Sequence, residues 1–134
     1  MDLLKYLKLN NAQKQIDRLA NKLKNKKVVL YGIGKYYQTI IENYDLSKLN
    51  IIAVCDKKFE NISNYPSLTY KAITPYELKT YDYDCIVVSL INDIEVIKKI
   101  DKEILEGTKN EKKRVFPLIN PRWGYILKLF FNKI

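Results

Sequence analysis

The sequence contains no histidine and only two cysteines among its 134 residues. The lack of histidine removes the commonest general base and the commonest metal ligand. Cys55 and Cys85 are far apart and form no CxxC pair, which argues against a structural zinc site. Both lie in apolar runs, so we expect buried thiols rather than a disulfide. We therefore expect no metal site and assign no catalytic residue.

Arginine is also scarce, although the chain is strongly basic. The 24 basic and 15 acidic residues give a net charge of +9, yet only Arg18, Arg114 and Arg122 are arginine. Proteins that read nucleic acids rely on arginine for bidentate contacts, so nucleic acid is disfavoured as a partner. The lysine excess instead favours small anionic ligands such as nucleotides, or peripheral contact with an anionic membrane.

Long hydrophobic runs are missing as well. No apolar run approaches the roughly 18–20 residues of a membrane-spanning helix. The first residues lack the apolar core of a signal peptide, so we expect a cytoplasmic protein. With 47% apolar residues, the chain is long enough for one globular domain with its own core.

The most informative stretch runs from Lys27 to Asp56. An apolar run at 28–30 leads into the Gly-Ile-Gly sequence at 32–34, and a helical pattern follows. A second apolar run at 51–54 then ends close to Asp56. This order predicts a strand, a glycine turn, a helix and a second strand ending in an acid, which is typical of a nucleotide-binding βαβ unit. A plain glycine turn without a ligand is the alternative.

The helix after the glycine turn departs from the dinucleotide fingerprint. In GxGxxG the third glycine lets the helix pack closely on the strand, but the chain has Tyr37 at that position. The spacing of Tyr37, Ile40, Ile41 and Tyr44 predicts a stripe that faces the core. The tyrosine disfavours a dinucleotide such as NAD.

Helical patterns flank the central unit at both ends. Residues 1–26 carry an apolar stripe from Leu3 to Leu23, and the Asn10–Asn11 pair allows two shorter helices instead of one. We expect this stripe to pack on its own domain, with a homodimer contact as the alternative. Residues 120–134 predict an aromatic, basic amphipathic helix. It would pack on the domain, bind a dimer mate or partner subunit, or touch a membrane surface.

The second half of the chain, within a nucleotide-binding domain at 27–119, alternates strands and helices. The predicted strands are an edge strand at Leu68–Tyr70, a strand at Cys85–Ser89 and a last strand at Val115–Ile119. A short helix is opened by Thr74–Glu77, and a longer one runs from Asn92 to its stop at Gly107. The residues of the longer helix that we expect to face inward are Ile94, Ile97, Ile100, Ile104 and Leu105.

Alternating strands and helices predict an α/β fold with a parallel sheet of about five strands in the order 3-2-1-4-5. Ligands of such sheets bind beyond the carboxyl ends of the strands, where strands 1 and 4 diverge. Three loops meet there, namely Gly32–Tyr36, Asp56–Lys57 and Ser89–Asn92. We therefore expect the binding site at this edge.

Three segments resemble the Rossmann-like modules of bacterial surface-polysaccharide enzymes, such as the N-terminal nucleotide-sugar-binding domain of sugar O-acetyltransferases. The segments are VVLYGIGKYY, IIAVCDKKFE and AITPYELKTYDYDCIVVSL. The resemblance implies that Gly32 and Gly34 approach phosphates, Lys35 pairs with them and Asp56 reads a ribose or base. The full set of candidate binding residues is Gly32, Ile33, Gly34, Lys35, Tyr36, Asp56, Lys57, Ser89 and Asn92.

The resemblance favours a nucleotide-sugar-binding domain in polysaccharide or glycan assembly, either accessory or part of a larger enzyme. A second hypothesis is a small NAD(P)-binding oxidoreductase or redox-sensing domain. A third is a degenerate Rossmann scaffold that acts as an interaction subunit through its terminal helices. The YxxxK spacing of Tyr31 and Lys35 is expected by chance among so many tyrosines and lysines.

Overall fold

The computed structural model describes residues 2–61 and 69–120 of the chain. The helices are α1 (Leu3–Leu9), α2 (Ala12–Lys22), α3 (Lys35–Asn43) and α4 (Asp93–Lys99). The strands are β1 (Val28–Tyr31), β2 (Ile51–Cys55), β3 (Lys71–Ile73), β4 (Cys85–Val88) and β5 (Arg114–Pro117). Two 3₁₀ turns follow β2 and β3, at Lys57–Glu60 and Pro75–Lys79, and a π-helical segment, Ile100–Leu105, continues α4.

All five strands are parallel and form one sheet in the order β3-β2-β1-β4-β5. The predicted Rossmann-like α/β fold is confirmed. The central strands form because their apolar runs can be buried on both faces, as parallel sheets require. All four residues of β4 are buried, and so are three of the four residues of β1. This order places the carboxyl ends of β1 and β4 side by side, at the point where the strand order reverses.

Successive residues of β1 point into different cores. Val28 and Leu30 face the core under α1, α2 and α3, whereas Val29 faces the core under α4 and the 75–79 turn. Both predicted thiols are confirmed as free and buried, with Cys55 0% and Cys85 4% exposed. Each face of the sheet is therefore covered by a core.

The N-terminal helices belong to the same core as β1 and α3. The alternative of two shorter helices is the correct one, since Asn11 takes a left-handed φ of 50° between α1 and α2. Ile16 is completely buried in the core that also contains Leu30 and Ile40. The Gln15 side chain donates to Asn120 O (2.9 Å) and accepts from Asn120 N (2.8 Å), which joins α2 to the end of the sheet. The predicted packing on the chain's own domain is confirmed.

Two predicted strands are displaced. The edge strand lies at Lys71–Ile73 rather than Leu68–Tyr70, because Ile73 is the side chain that reaches the core; Leu68 itself lies outside the described residues. The last strand lies at Arg114–Pro117 rather than Val115–Ile119. It ends at the proline, although Leu118 and Ile119 are buried beyond it.

Two residues that were predicted to face the core are exposed instead. Ile41 is 43% exposed and Ile94 is 65% exposed. In α3 the buried face is formed by Tyr36, Tyr37 and Ile40, so the stripe is rotated by one residue from the predicted one. In α4 the inward stripe begins only at Val96, with the partly buried Ile97 and the buried Ile100 following.

The predicted C-terminal helix at 120–134 lies outside the described residues beyond Asn120. Among the residues that the structure does describe, no helix has both the length and the apolar character needed to cross a membrane.

Replacing Ile16 tests whether α2 is part of the domain core. Ile16→Ala should lower the free energy of unfolding by about 2–5 kcal/mol, since it leaves a cavity in a fully buried position. The matched control Ile41→Ala removes the same atoms from an exposed helical site and should cost less than about 1 kcal/mol. Urea denaturation of both variants measures the difference, and equal losses would contradict the packing described here.

Candidate functional site

The turn after β1 requires glycine at position 32, because the backbone there is packed closely against the end of β4. Its φ of +100° is a conformation that L side chains rarely adopt. A Cβ at this position would lie 2.6 Å from Leu90 Cγ and 3.1 Å from Ser89 O. The first glycine therefore lets the chain leave β1 directly beside the end of β4.

The next residue, Ile33, is held by two charged side chains from the end of β2. Asp56 Oδ2 accepts from Ile33 N at 2.9 Å, while Lys58 Nζ donates to Ile33 O at 2.8 Å. Asp56 Oδ1 also accepts from Lys58 N at 3.0 Å and so begins the 3₁₀ turn. We call this arrangement of Asp56, Ile33 and Lys58 the loop clasp. The clasp places a negative and a positive charge on either side of one residue, so their fields partly offset.

Ser89 fixes the same loop from the β4 side. Its hydroxyl is buried and donates to the Gly32 carbonyl, with Tyr31 O as a second acceptor at 3.2 Å. Asn92 is exposed at the start of α4, and its side chain makes no capping hydrogen bond. The neighbouring Asp93 is only 6% exposed, and burial raises the pKa of its carboxyl group. The three predicted loops are thus brought together at the carboxyl edge of the sheet.

The amino end of α3 is open. Gly34 is the N-cap residue and has no side chain, and no other described side chain caps the first-turn amides. The first turn contains no acidic residue and begins with the exposed Lys35. A Cβ built on Gly34 would meet nothing within 4 Å. Unpaired amides and the helix dipole make such an end attractive to an anion.

The two tyrosines that follow Lys35 are buried in the core. Tyr36 and Tyr37 are 6% and 5% exposed and belong to the core cluster of α1 to α3. Burial raises the pKa of the Tyr36 phenol well above its usual range and also raises that of Tyr37. Tyr37 therefore fills the position of the third fingerprint glycine with a packed aromatic ring.

A cleft of about 360 Å³ opens at the carboxyl ends of β1 to β4. The residues that line it from the sheet side are Tyr31, Asp56, Lys57, Glu60, Pro75 and Leu90. Those that line it from the helical side are Val96, Lys99, Ile100, Glu103 and Ile104. Pockets for small ligands are typically about 300–1,000 Å³, with apolar walls and a few converging polar groups. The cleft meets that description.

Electrostatics in the cleft keep Tyr31 protonated. Burial first, and then the negative charges of Asp56 and Glu60, raise the pKa of its phenol to about 12. Burial likewise raises the pKa of the Cys55 thiol well above its usual range and that of Cys85 to about 11. At neutral pH the phenol can therefore donate a hydrogen bond, while neither thiol is a ready nucleophile.

Of the nine predicted residues, Asp56 and Lys57 line the cleft, and Gly34 and Lys35 form the open helix end. The others hold the loops together or pack in the core, apart from the exposed Asn92. Lys58, Leu90 and the helical wall of the cleft were not among the predicted residues. Leu90 follows a predicted parallel strand, and Lys99 and Glu103 are spaced four residues apart, so these positions carried a weak signal. Nothing in the sequence indicated the contact of Lys58 with Ile33.

A parallel sheet in this order, with a glycine turn leading into α3, defines a Rossmann-like α/β domain. Within that class, the chain belongs to the family described as C2185-like, N-terminal, whose family model matches residues 24–116. The match begins just before β1 and ends inside β5, so it spans the sheet and leaves out both α1 and α2. Comparison with curated proteins and with solved structures found no match.

Alanine at the two glycines of the turn should lower stability by very different amounts. Gly32→Ala combines a strained φ with a clash against Leu90 and should cost about 2–4 kcal/mol of unfolding free energy. Gly34→Ala meets open space and should cost less than about 1 kcal/mol. Chemical denaturation of both variants measures this. A stable Gly32→Ala protein would show that the turn does not need its glycine.

Proposed function

We propose that this domain binds a nucleotide, with a nucleotide-sugar as the favoured ligand, at the carboxyl edge of its sheet. The observation that carries the proposal is the open amino end of α3 at Gly34. It lies at the edge where the fold binds ligands and is uncapped, with a lysine as its first residue. An anionic phosphate would find unpaired amides, the helix dipole and Lys35 together.

Asp56 has a double role in this proposal. Each of its carboxylate oxygens accepts one backbone N–H and keeps further lone-pair capacity. The residue also lines the cleft. A ribose or sugar hydroxyl could therefore donate to a carboxylate that the clasp already holds in place. The exposed Lys57 beside it would add a positive charge near the phosphates.

Two features favour a nucleotide-sugar over a dinucleotide. Tyr37 occupies the position of the third glycine with a buried ring, which departs from the dinucleotide fingerprint. The resemblance of the three sequence segments to polysaccharide-enzyme modules points the same way and suggests a role in glycan assembly in the cytoplasm. NAD(P) is the competing ligand, and it is included in the test below.

The proposal concerns binding rather than catalysis. Both thiols are buried and have raised pKa values, and within residues 2–61 and 69–120 no cluster of acids and cysteines could hold a metal ion. The groups that line the cleft can accept and donate hydrogen bonds, which suits recognition of a ligand.

One observation favours a second candidate, an interaction scaffold with no ligand. Both backbone groups of Ile33 and the carbonyl of Gly32 are already satisfied within the chain, by Asp56, Lys58 and Ser89. The loop is therefore ordered without a bound phosphate. A scaffold would bind none of the ligands tested below.

Two substitutions at Gly34 separate these alternatives. Aspartate and asparagine are both good N-cap residues and should leave stability within about 1 kcal/mol of wild type. Gly34→Asp, however, places a negative charge where the phosphate is expected. We expect it to weaken nucleotide binding at least about tenfold relative to Gly34→Asn, its uncharged control of the same shape.

The measurement is isothermal titration of wild type and both variants with UDP-, GDP- and CDP-sugars, their nucleoside diphosphates, NAD and NADP. Binding that is lost with aspartate and better retained with asparagine supports the proposed site. Binding of NAD(P) alone would instead support an NAD(P)-binding oxidoreductase or redox-sensing domain. Equal binding by both variants would show that the phosphate does not bind at the amino end of α3. If wild type binds none of the ligands, the interaction scaffold is favoured.

A further inference from the structure

The helical wall of the cleft is formed by one stripe of α4 and its continuation. Val96, Lys99, Ile100, Glu103 and Ile104 recur at intervals of three and four residues and all line the cleft. Ile100 is 1% exposed and joins the core cluster of that face. This wall is therefore anchored in the core and presents a fixed surface to anything in the cleft.

Part of this wall is π-helical. Ile100–Leu105 adopts i→i+5 geometry immediately after α4. π-Helical turns are rare and occur frequently at functional sites. Here the turn carries Glu103 and Ile104, which both line the cleft. The unusual helical geometry therefore coincides with the wall of the cleft.

The charges around the cleft are not paired with one another. Lys57, Glu60, Lys99 and Glu103 are exposed, and within the described part of the chain none of them forms an ion pair. With Asp56, the cleft has three carboxylates against two ammonium groups. This balance disfavours a phosphate inside the cleft but suits hydroxyl groups, which can donate to carboxylates and accept from lysines.

The remaining surface of the cleft is apolar or aromatic. Pro75, Leu90 and Val96 offer aliphatic contacts, and Tyr31 offers a ring with a protonated hydroxyl. A sugar ring combines apolar C–H surfaces with hydroxyl groups around its rim. The cleft presents the complementary combination, with apolar walls and polar groups at its edge.

We infer that this cleft binds the sugar of a nucleotide-sugar, with Glu103 and Glu60 accepting hydrogen bonds from its hydroxyl groups and Lys99 donating to them. The inference rests on the proposed function, which places the phosphates at the α3 end. Leu90 connects the two sites, since it lines the cleft and packs directly over Gly32. Glu103 and Lys99 would then determine which sugar is preferred.

Glu103→Gln tests this inference, because it keeps the shape of the side chain and removes its charge. The control Glu111→Gln makes the same change at an exposed turn residue that does not line the cleft. UDP, UDP-glucose, UDP-N-acetylglucosamine, GDP and GDP-mannose are titrated into wild type and both variants. At least one nucleotide-sugar should bind wild type about tenfold or more tightly than its own nucleoside diphosphate, the effect of one charge-assisted hydrogen bond.

Glu103→Gln should reduce that preference severalfold and leave the affinity for the nucleoside diphosphate unchanged, while Glu111→Gln should change neither. Equal affinity of wild type for sugars and diphosphates would overturn the inference, and so would an equal loss of both in Glu103→Gln; either result leaves the proposed function intact. If wild type binds none of the five compounds but binds NAD or NADP, the sugar assignment fails. If it binds nothing at all, both proposals fail.

Discussion

The hydrogen bond from Ile33 N to the Asp56 carboxylate is the constraint on which the candidate site depends. It joins the turn after β1 to the end of β2 across 23 residues of sequence, and Lys58 closes the same contact from the carbonyl side. A charged acceptor makes this bond stronger than one between neutral groups. Because Gly32 already fixes the turn against β4, the clasp leaves the loop little freedom, and α3 begins in a defined place.

That placement links the two parts of the proposed site. The end of α3 has no side-chain cap, and the Asp56 carboxylate accepts from Ile33 N, one residue before the N-cap Gly34. The same carboxylate forms part of the cleft on the other side of the loop. Asp56 thereby separates an electropositive helix end from a cleft of mixed charge. A ligand with a phosphate at one end and hydroxyl groups at the other is complementary to this division.

The sequence predicted β1, β2 and the sheet order well, because fully buried parallel strands appear as continuous apolar runs that few other structures explain. The prediction failed where several helical stripes were equally apolar. In α3, Ile41 and Tyr36 were both suitable to face the core, and the packing of α1 against α3 buries Tyr36 and leaves Ile41 exposed. The aspartate after β2 was visible from its position alone. Its clasp with Lys58 was not, since a long side chain that reaches a distant carbonyl has no sequence pattern.

The most direct test of the account is an amide NMR titration with inorganic pyrophosphate, which carries the charge of a nucleoside diphosphate without base or sugar. An anion at the α3 end should shift the backbone amides of Gly34, Lys35 and Tyr36 most strongly, because their N–H groups would point at it. The changes at Glu103 and Ile104 should be small, since the phosphates are placed outside the cleft. If millimolar pyrophosphate leaves residues 34–36 unchanged, or acts mainly at a distant lysine cluster, the central claim is wrong.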